Sequence, residues 1–431
     1  MLLIYSHTCT ARLKYICSFI FKELMGIDIK FTVDSEKLRT HDGPKINYSD
    51  STIVANEFFL RNHPLLFEDK IQKQNTDCFT LNNYKAFFKT ENCDFSFDIL
   101  AASFYLISRY EEYLPHEKDM YGRYDFACSL ASKEGFLDLP LINIWSQLLA
   151  ECLKKKFPTL NFQYSTFNYL PTYDIDIAYS YKHKGLTRNI GGFLKNPSWD
   201  RIKVLTDNMQ DPFDCYGWLN QLHKQNKLQP VYFFLVPEKN SRFDKNILPH
   251  KDIMWRLVHH HAQKYRIGLH PSWQSGDNNS LLKKEKKLLE AMTDNDQLVI
   301  TQSRQHYIRF NLPEGYQRLI AAGITDDYSM GYGSVNGFRA SVASSFYWYD
   351  LEKDKQTTLH IHPFCFMDAN SFYEQKQDSY NTYKELMHYL TICKMVNGNL
   401  ITIWHNNFLG TAKAFNGWKE IYEQFIAQVQ Q

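Results

Sequence analysis

No cysteine pair in this chain is spaced C-x-x-C, and its nine cysteines are scattered and odd in number, which excludes a thiolate zinc site and a disulfide framework and fits a reducing compartment. Charge of one sign is also scarce. A formal net charge of +2 over 431 residues leaves no electrostatic footprint for nucleic acid, and the densest basic run, LLKKEKKLLEAM, mixes Glu with Lys at helical spacing, as a solvated helix face does. Neither a leader nor a membrane span is expected, because His7, Arg12 and Lys14 interrupt the apolar N-terminus and no small-residue cleavage site follows. That stretch reads as a strand followed by a helix with Leu13, Ile16, Cys17 and Ile20 inward, and a cytoplasmic protein is expected. The glycines of GYGSVNG have the wrong spacing for a dinucleotide loop and read as a surface loop. The three consecutive histidines 259–261 fan around a helix axis and cannot all face one ion.

What remains is an ordinary globular balance, 44% hydrophobic and 22% charged, in a chain too long for one core. Residues 1–165 read as a smaller α/β domain of unreadable chemistry, with helices over 97–114 and 141–157, and with Arg109, Glu111 and Glu112 as ion pairs on a helix surface. From 166 to 431 the rhythm changes. Short apolar runs (NYLPTYDID, PVYFFLV, YRIGLH, LVITQSRQHY, GITDDYS, TTLHIHPF, LITIWHN) alternate with helix candidates at 213–225, 250–264, 279–292, 313–322, 379–395 and 414–429. Such alternation predicts parallel strands with crossover helices, in an open sheet or a barrel.

Most of these runs carry an ionisable residue at the C-terminal end: Asp174 and Asp176, His270, Arg304 and His306, Asp326 and Asp327, His362, His405. In barrels of parallel strands that rim is where several strands jointly build an active site. Asp174 and Asp176, two positions apart, share a face if their segment is a strand, and two such carboxylates need a cation or a shared proton; in a turn they would instead cap a following helix. Asp176 and His270 are donors that zinc and its neighbours accept. Asp174, Arg304 and His405 could then supply a base, its partner and an acid for metal-assisted hydrolysis of an acyl bond.

In order and spacing, Thr172-Tyr173-Asp174-Ile175-Asp176, Leu269-His270-Pro271-Ser272, Arg304-Gln305-His306-Tyr307 and Ile403-Trp404-His405 resemble the successive motifs of polysaccharide deacetylases of carbohydrate esterase family 4, the NodB-homology domain. The chain is also similar to a bacterial subgroup of that family with an uncharacterised N-terminal domain, here residues 80–165. The resemblance implies a distorted (β/α) barrel over about 166–410, preceded by the smaller α/β domain, and a divalent metal, Zn2+ by preference, with an acetylated carbohydrate as substrate. It implies Asp174 as base, Asp176 and His270 as metal ligands, Arg304 as the residue that orients the base, the Tyr307 backbone N–H at the oxyanion and His405 as general acid. His306, Asp326, Asp327 and Trp404 are expected on the substrate side. One departure stands out: HPSWQ places Gln274 where the family has its second metal histidine. His362, near the end of a strand-like run, is expected to replace it. A catalytically degenerate glycan-binding or scaffolding protein on the same fold is the alternative.

Overall fold

The computed structural model describes residues 1–195 and 197–430. Near the N-terminus, four short strands, β1 (Leu2–Tyr5), β2 (Ile29–Thr32), β3 (Lys45–Ser49) and β4 (Phe58–Arg61), form a parallel sheet in the order β2-β1-β3-β4. The helix Ala11–Cys17, capped by the Thr10 side chain, follows β1 and buries Leu13, Ile16 and Cys17 completely; Ile20 just beyond it is equally buried. A small hairpin, β5 (Phe79–Leu81) and β6 (Tyr84–Ala86), precedes the apolar helix Ile99–Ile107, which Asp98 caps through the Ala101 N–H.

The larger sheet has nine strands: β7 (Asn168–Ile175), β8 (Val231–Leu235), β9 (Arg266–His270), β10 (Gln302–Ser303), β11 (Asp326–Asp327), β12 (Phe346–Asp350), β13 (Lys355–Ile361), β14 (Phe366–Met367) and β15 (Asn399–His405). Their order is β12-β13-β11-β10-β9-β8-β7-β15-β14, parallel at every step except β12 against β13. Every residue of β8 is buried, as a central parallel strand covered on both faces requires. The ladder runs from β12 to β14, and among the described residues no pairing joins those two ends. The fold is mixed α/β with parallel sheets. Because the parallel strands return through helices, the C-terminal ends of β7, β8, β9 and β15 lie along one edge, and the register His405–Asp174–Phe233–Gly268 fixes their relative heights.

Four expectations fail here for physical reasons. The helix expected over 97–114 ends at Ile107, where Arg109 turns left-handed at φ 56°, and the ion pairs expected on its surface are buried. Arg109 Nε donates to Glu112 Oε1 at 2.7 Å and its Nη2 to Glu111 Oε1 at 2.9 Å, while Arg339 donates to both Glu112 oxygens at 2.8 and 2.5 Å. GYGSVNG is no surface loop either: Gly331, Tyr332, Asn336 and Gly337 are buried. Within LVITQSRQHY only Gln302 and Ser303 join the ladder, because the chain turns at 304–308 to present side chains.

Candidate metal and catalytic site

At the strand edge Asp174, Asp176, His270, His306, Tyr307 and His405 line one cavity of about 420 Å3. β7 delivers Asp174 and, just past its end, Asp176; β9 ends on His270, and β15 ends on His405, which pairs in register with Asp174.

The protons on the imidazoles define what the site lacks. His270 Nδ1 lies 2.6 Å from the Arg304 carbonyl, which can only accept, so Nδ1 carries a hydrogen and in the neutral ring Nε2 is the lone pair. That lone pair faces Asp176 Oδ1 at 3.1 Å, and this oxygen is buried without an aligned hydrogen bond. His306 is arranged alike. Its Nδ1 donates to Asp244 Oδ1 at 3.0 Å, which leaves Nε2 toward Asp176 Oδ2 at 3.4 Å. Donor atoms of Asp176, His270 and His306 thus lie within 4.8 Å of one another. With both rings neutral these acceptors converge on one point and repel unless a cation or a proton sits among them, and each ring is oriented from behind by an acceptor, as metal-ligating histidines are. Electrostatics agree. Burial lowers the pKa of His306, but Asp176 and Asp244 outweigh it and raise it to about 9; burial raises that of Asp176, and His306 and His270 pull it well below the carboxylate range. The carboxylates demand positive charge at this point. The residues present therefore fit a divalent metal with two imidazoles and one carboxylate, the donor set of a catalytic zinc site with room for further ligands.

Asp174 stands beside this cluster, Oδ2 at 3.9 Å from His270 Nε2, with Oδ1 accepting from Arg304 Nη1 at 2.9 Å. Arg304 is fully buried, its guanidinium carbon 4.4 Å from the Phe233 ring centre and its Nε donating to the Tyr328 carbonyl at 3.0 Å. His405 Nδ1 lies 2.6 Å from Asp368 Oδ1, and its Nε2 is 3.5 Å from Asp176 Oδ2. Burial lowers the His405 pKa, yet Asp368, Asp176 and Asp174 together raise it to about 10.

Other expected site residues fall elsewhere. His362 does not close the Asp176–His270 group: its Nε2 contacts Asp326 Oδ1 at 2.8 Å and its Nδ1 the Ser345 hydroxyl at 2.9 Å, and with His360 these form a separate cluster. Gln274 is exposed on a turn, and the residue grouped with Asp176 and His270 is instead His306, expected only to bind substrate. Asp326 is thus engaged with His362, and Asp327 is buried and accepts from Ser303 Oγ, Ser329 N and Ser329 Oγ behind the site. Trp404 packs in the core against Tyr422 and Trp418, because on a strand its side chain faces away from the neighbouring His405.

Sequence reasoning missed Asp244, Asp368, Tyr121 and Arg123. Asp368 ends the apolar run FCFMD and follows the same strand-end rule as the others. Asp244 lies in a loop and carries no such signal. Tyr121 and Arg123 come from the N-terminal region yet line the same cavity.

A family model described as a family of unknown function (DUF7033) matches residues 2–158. No curated protein matches the chain significantly. Among solved structures the chain is similar to a protein assigned as a polysaccharide deacetylase from Mycobacterium smegmatis, at 13% identity over 62% of this chain and 84% of that one, with a TM-score of 0.39. It is similar to a CE4 family pseudoenzyme from Bacillus anthracis at 8% identity, over 61% and 60% of the two chains, with a TM-score of 0.31. A 4-alpha-glucanotransferase from Thermococcus litoralis matches at 9% identity, over 62% and 37%, with a TM-score of 0.35. At such values these likenesses carry no functional weight, and the chemistry of the residues must stand alone.

Proposed function

We propose that this protein is a metal-dependent hydrolase that removes acetyl groups from an N-acetylated sugar or polysaccharide, as its likeness to the deacetylase motifs implies. One observation carries the reading: the bare Nε2 of His270 faces an orphaned, buried Asp176 oxygen, with His306 aimed at the same carboxylate. Asp176, His270 and His306 would hold the metal, with Zn2+ the ion that two imidazoles and a carboxylate suit best. When bound, that ion supplies Lewis-acid polarisation of an acyl oxygen and lowers the pKa of a water.

The chain's own residues account for the proton traffic. Asp174, paired with the Arg304 cation, accepts the proton of the attacking water. The backbone N–H of Tyr307, beside the cavity, stabilises the developing oxyanion. His405, kept protonated by Asp368 at neutral pH, donates to the departing amine. We further propose that the nine-stranded sheet closes as a distorted barrel over residues 166–431, that 1–165 form a separate α/β domain, and that the nine free cysteines reflect a reducing, cytoplasmic setting.

The departure at Gln274 favours a second reading, a glycan-binding protein on the same fold without catalysis. Zinc analysis of the purified protein combined with acetate release from N-acetylglucosamine oligomers separates the two. Zinc near one equivalent with acetate release supports the hydrolase. Sugar binding without acetate release supports the alternative, and absence of bound zinc after loading refutes the metal-dependent reading.

A further inference from the structure

The segment 117–125 belongs to the N-terminal region, far in sequence from the strand ends, yet two of its residues reach the cavity. Its local structure explains how. Lys118 and Tyr124 form an antiparallel bridge, and Asp119 Oδ1 accepts from the N–H groups of Tyr121 and Arg123 at 2.9 and 3.0 Å while Gly122 takes φ +75°. An Asp that gathers successive N–H groups ahead of a left-handed glycine makes a tight, rigid turn. Its product is a fixed Arg123. The residue is 5% exposed, and its guanidinium donates from Nε to Asp119 Oδ2 at 2.6 Å and from Nη1 to the Tyr307 carbonyl at 2.7 Å, and lies 4.7 Å from the centre of the Tyr121 ring.

Tyr307 and Ile308 are consecutive non-glycine residues with φ of +58° and +53°. Such a conformation persists only where the surroundings enforce it. The Arg123 hydrogen bond to the carbonyl between them is one enforcing contact. Gly333 is another: a Cβ there would lie 2.0 Å from Arg123 Nη1 and 2.8 Å from the Tyr307 carbonyl oxygen, so only glycine lets the three segments meet.

Tyr121 is half-buried and turned toward the cavity, with its ring centre 5.4 Å from that of Tyr307 and 6.2 Å from that of Trp273. Phe243 stacks on Trp273 at 3.8 Å and steadies it. Aromatic faces therefore rim a pocket whose floor is carboxylates and imidazoles. This pairing suits a pyranose, which presents an apolar C–H face for ring contact and hydroxyls for hydrogen bonds along its edge.

We propose that segment 117–125 is a substrate-binding part of the candidate site: Tyr121, with Tyr307, forms a subsite for a hexosamine ring, and Arg123 is a positioning residue that holds the Tyr307–Ile308 turn. The inference rests on the deacetylase reading for its substrate class and gives the N-terminal region a role in specificity. It is tested with the full-length, zinc-loaded chain and a tetramer of N-acetylglucosamine, in wild type, Tyr121→Ala, Tyr121→Phe, Arg123→Ala and Arg123→Lys. Loss of the ring contact in Tyr121→Ala raises KM about tenfold with kcat unchanged, and Tyr121→Phe restores it. Arg123→Ala lowers kcat, and Arg123→Lys recovers part of it, with zinc content equal to wild type throughout. Wild-type kinetics in both alanine variants overturn the proposal. If wild type releases no acetate, the deacetylase reading fails and the subsite is read instead by quenching of Trp fluorescence with the same tetramer. Quenching that weakens about tenfold in Tyr121→Ala and survives in Tyr121→Phe supports it. No quenching in wild type, or equal quenching in Tyr121→Ala, overturns it.

Discussion

Replacing Glu112 with glutamine removes the one carboxylate shared by two buried guanidinium groups. Glu112 accepts from Arg109 Nε on one oxygen and from Arg339 on both, and all three side chains are buried. Burial raises the pKa of this carboxyl, but the two arginines overwhelm it and lower it from 4.5 to about 2. A shift of that size corresponds to ~3 kcal/mol of stability at neutral pH. Removing one member of a buried ion cluster costs ~3–5 kcal/mol by an independent route, since it strands a desolvated charge. The two figures agree, and Glu112→Gln is expected to lose ~3 kcal/mol at pH 7. The folded-state pKa is depressed, so the contribution is complete above about 4.5 and is lost as pH falls through about 2. Glu111, which burial shifts the opposite way, is raised further by the Glu112 charge, so its pKa falls in Glu112→Gln and the gap reads the cluster rather than Glu112 alone. Urea unfolding of wild type and Glu112→Gln by tryptophan fluorescence, at pH 7 and pH 3, reads the gap directly. It is expected to be wide at pH 7 and to narrow at pH 3. A gap below ~1 kcal/mol at pH 7, the size of an exposed pair, would refute the assignment of a buried cluster, and a gap that ignores pH would refute its electrostatic origin.

The site yields three more expected outcomes. Asp176→Ala, His270→Ala and His306→Ala each lose zinc in metal analysis, whereas His362→Ala keeps it and Asp174→Asn keeps it while losing acetate release; zinc loss in His362→Ala would contradict the separation of the two clusters. Asp244→Ala, which frees the His306 ring from its orienting carboxylate, lowers zinc affinity ~10–100-fold in a competition titration with a chelator. Because the His405 pKa is raised to about 10 chiefly by Asp368, the group keeps its proton as pH rises until that value, and Asp368→Asn moves the alkaline limb of the acetate-release profile to lower pH; an unmoved limb would show that another group donates the proton.

The periodicity of the C-terminal two thirds was legible because strands and helices there obey their periods closely. The segment 279–292 coincides with the helix Asn279–Met292, and 379–395 with Ser379–Met395. Strand-end placement brought Asp174, Asp176, His270, His306 and His405 to one cavity, since parallel strands force their C-terminal ends together. What stayed illegible depends on tertiary context. Arg109, Glu111 and Glu112 have the composition of a solvated helix face, and only the arrival of Arg339 from more than two hundred residues away buries them. Asp244 and Arg123 act from loops whose turns carry no period, and their partners, His306 and the Tyr307 carbonyl, lie far along the chain.

The misplacement of His362 has a geometric source. β13 pairs with β11, not with β9, so Asp326 lies opposite His360 and next to His362, and these three satisfy one another. Strand-end logic locates a residue along its own strand but not where its side chain opens, and His362 lines a different cavity, with Asn168, Tyr169 and Leu170 at the start of β7 and Arg266 at the start of β9, away from the strand ends that carry Asp176 and His270. His306 succeeds because it follows β10, the immediate neighbour of β9, and because the left-handed turn at Tyr307 brings the chain around at the strand end. The imidazole that the HPSWQ motif lacks thus has its counterpart on the next strand over, beside a backbone conformation that the N-terminal region helps to hold.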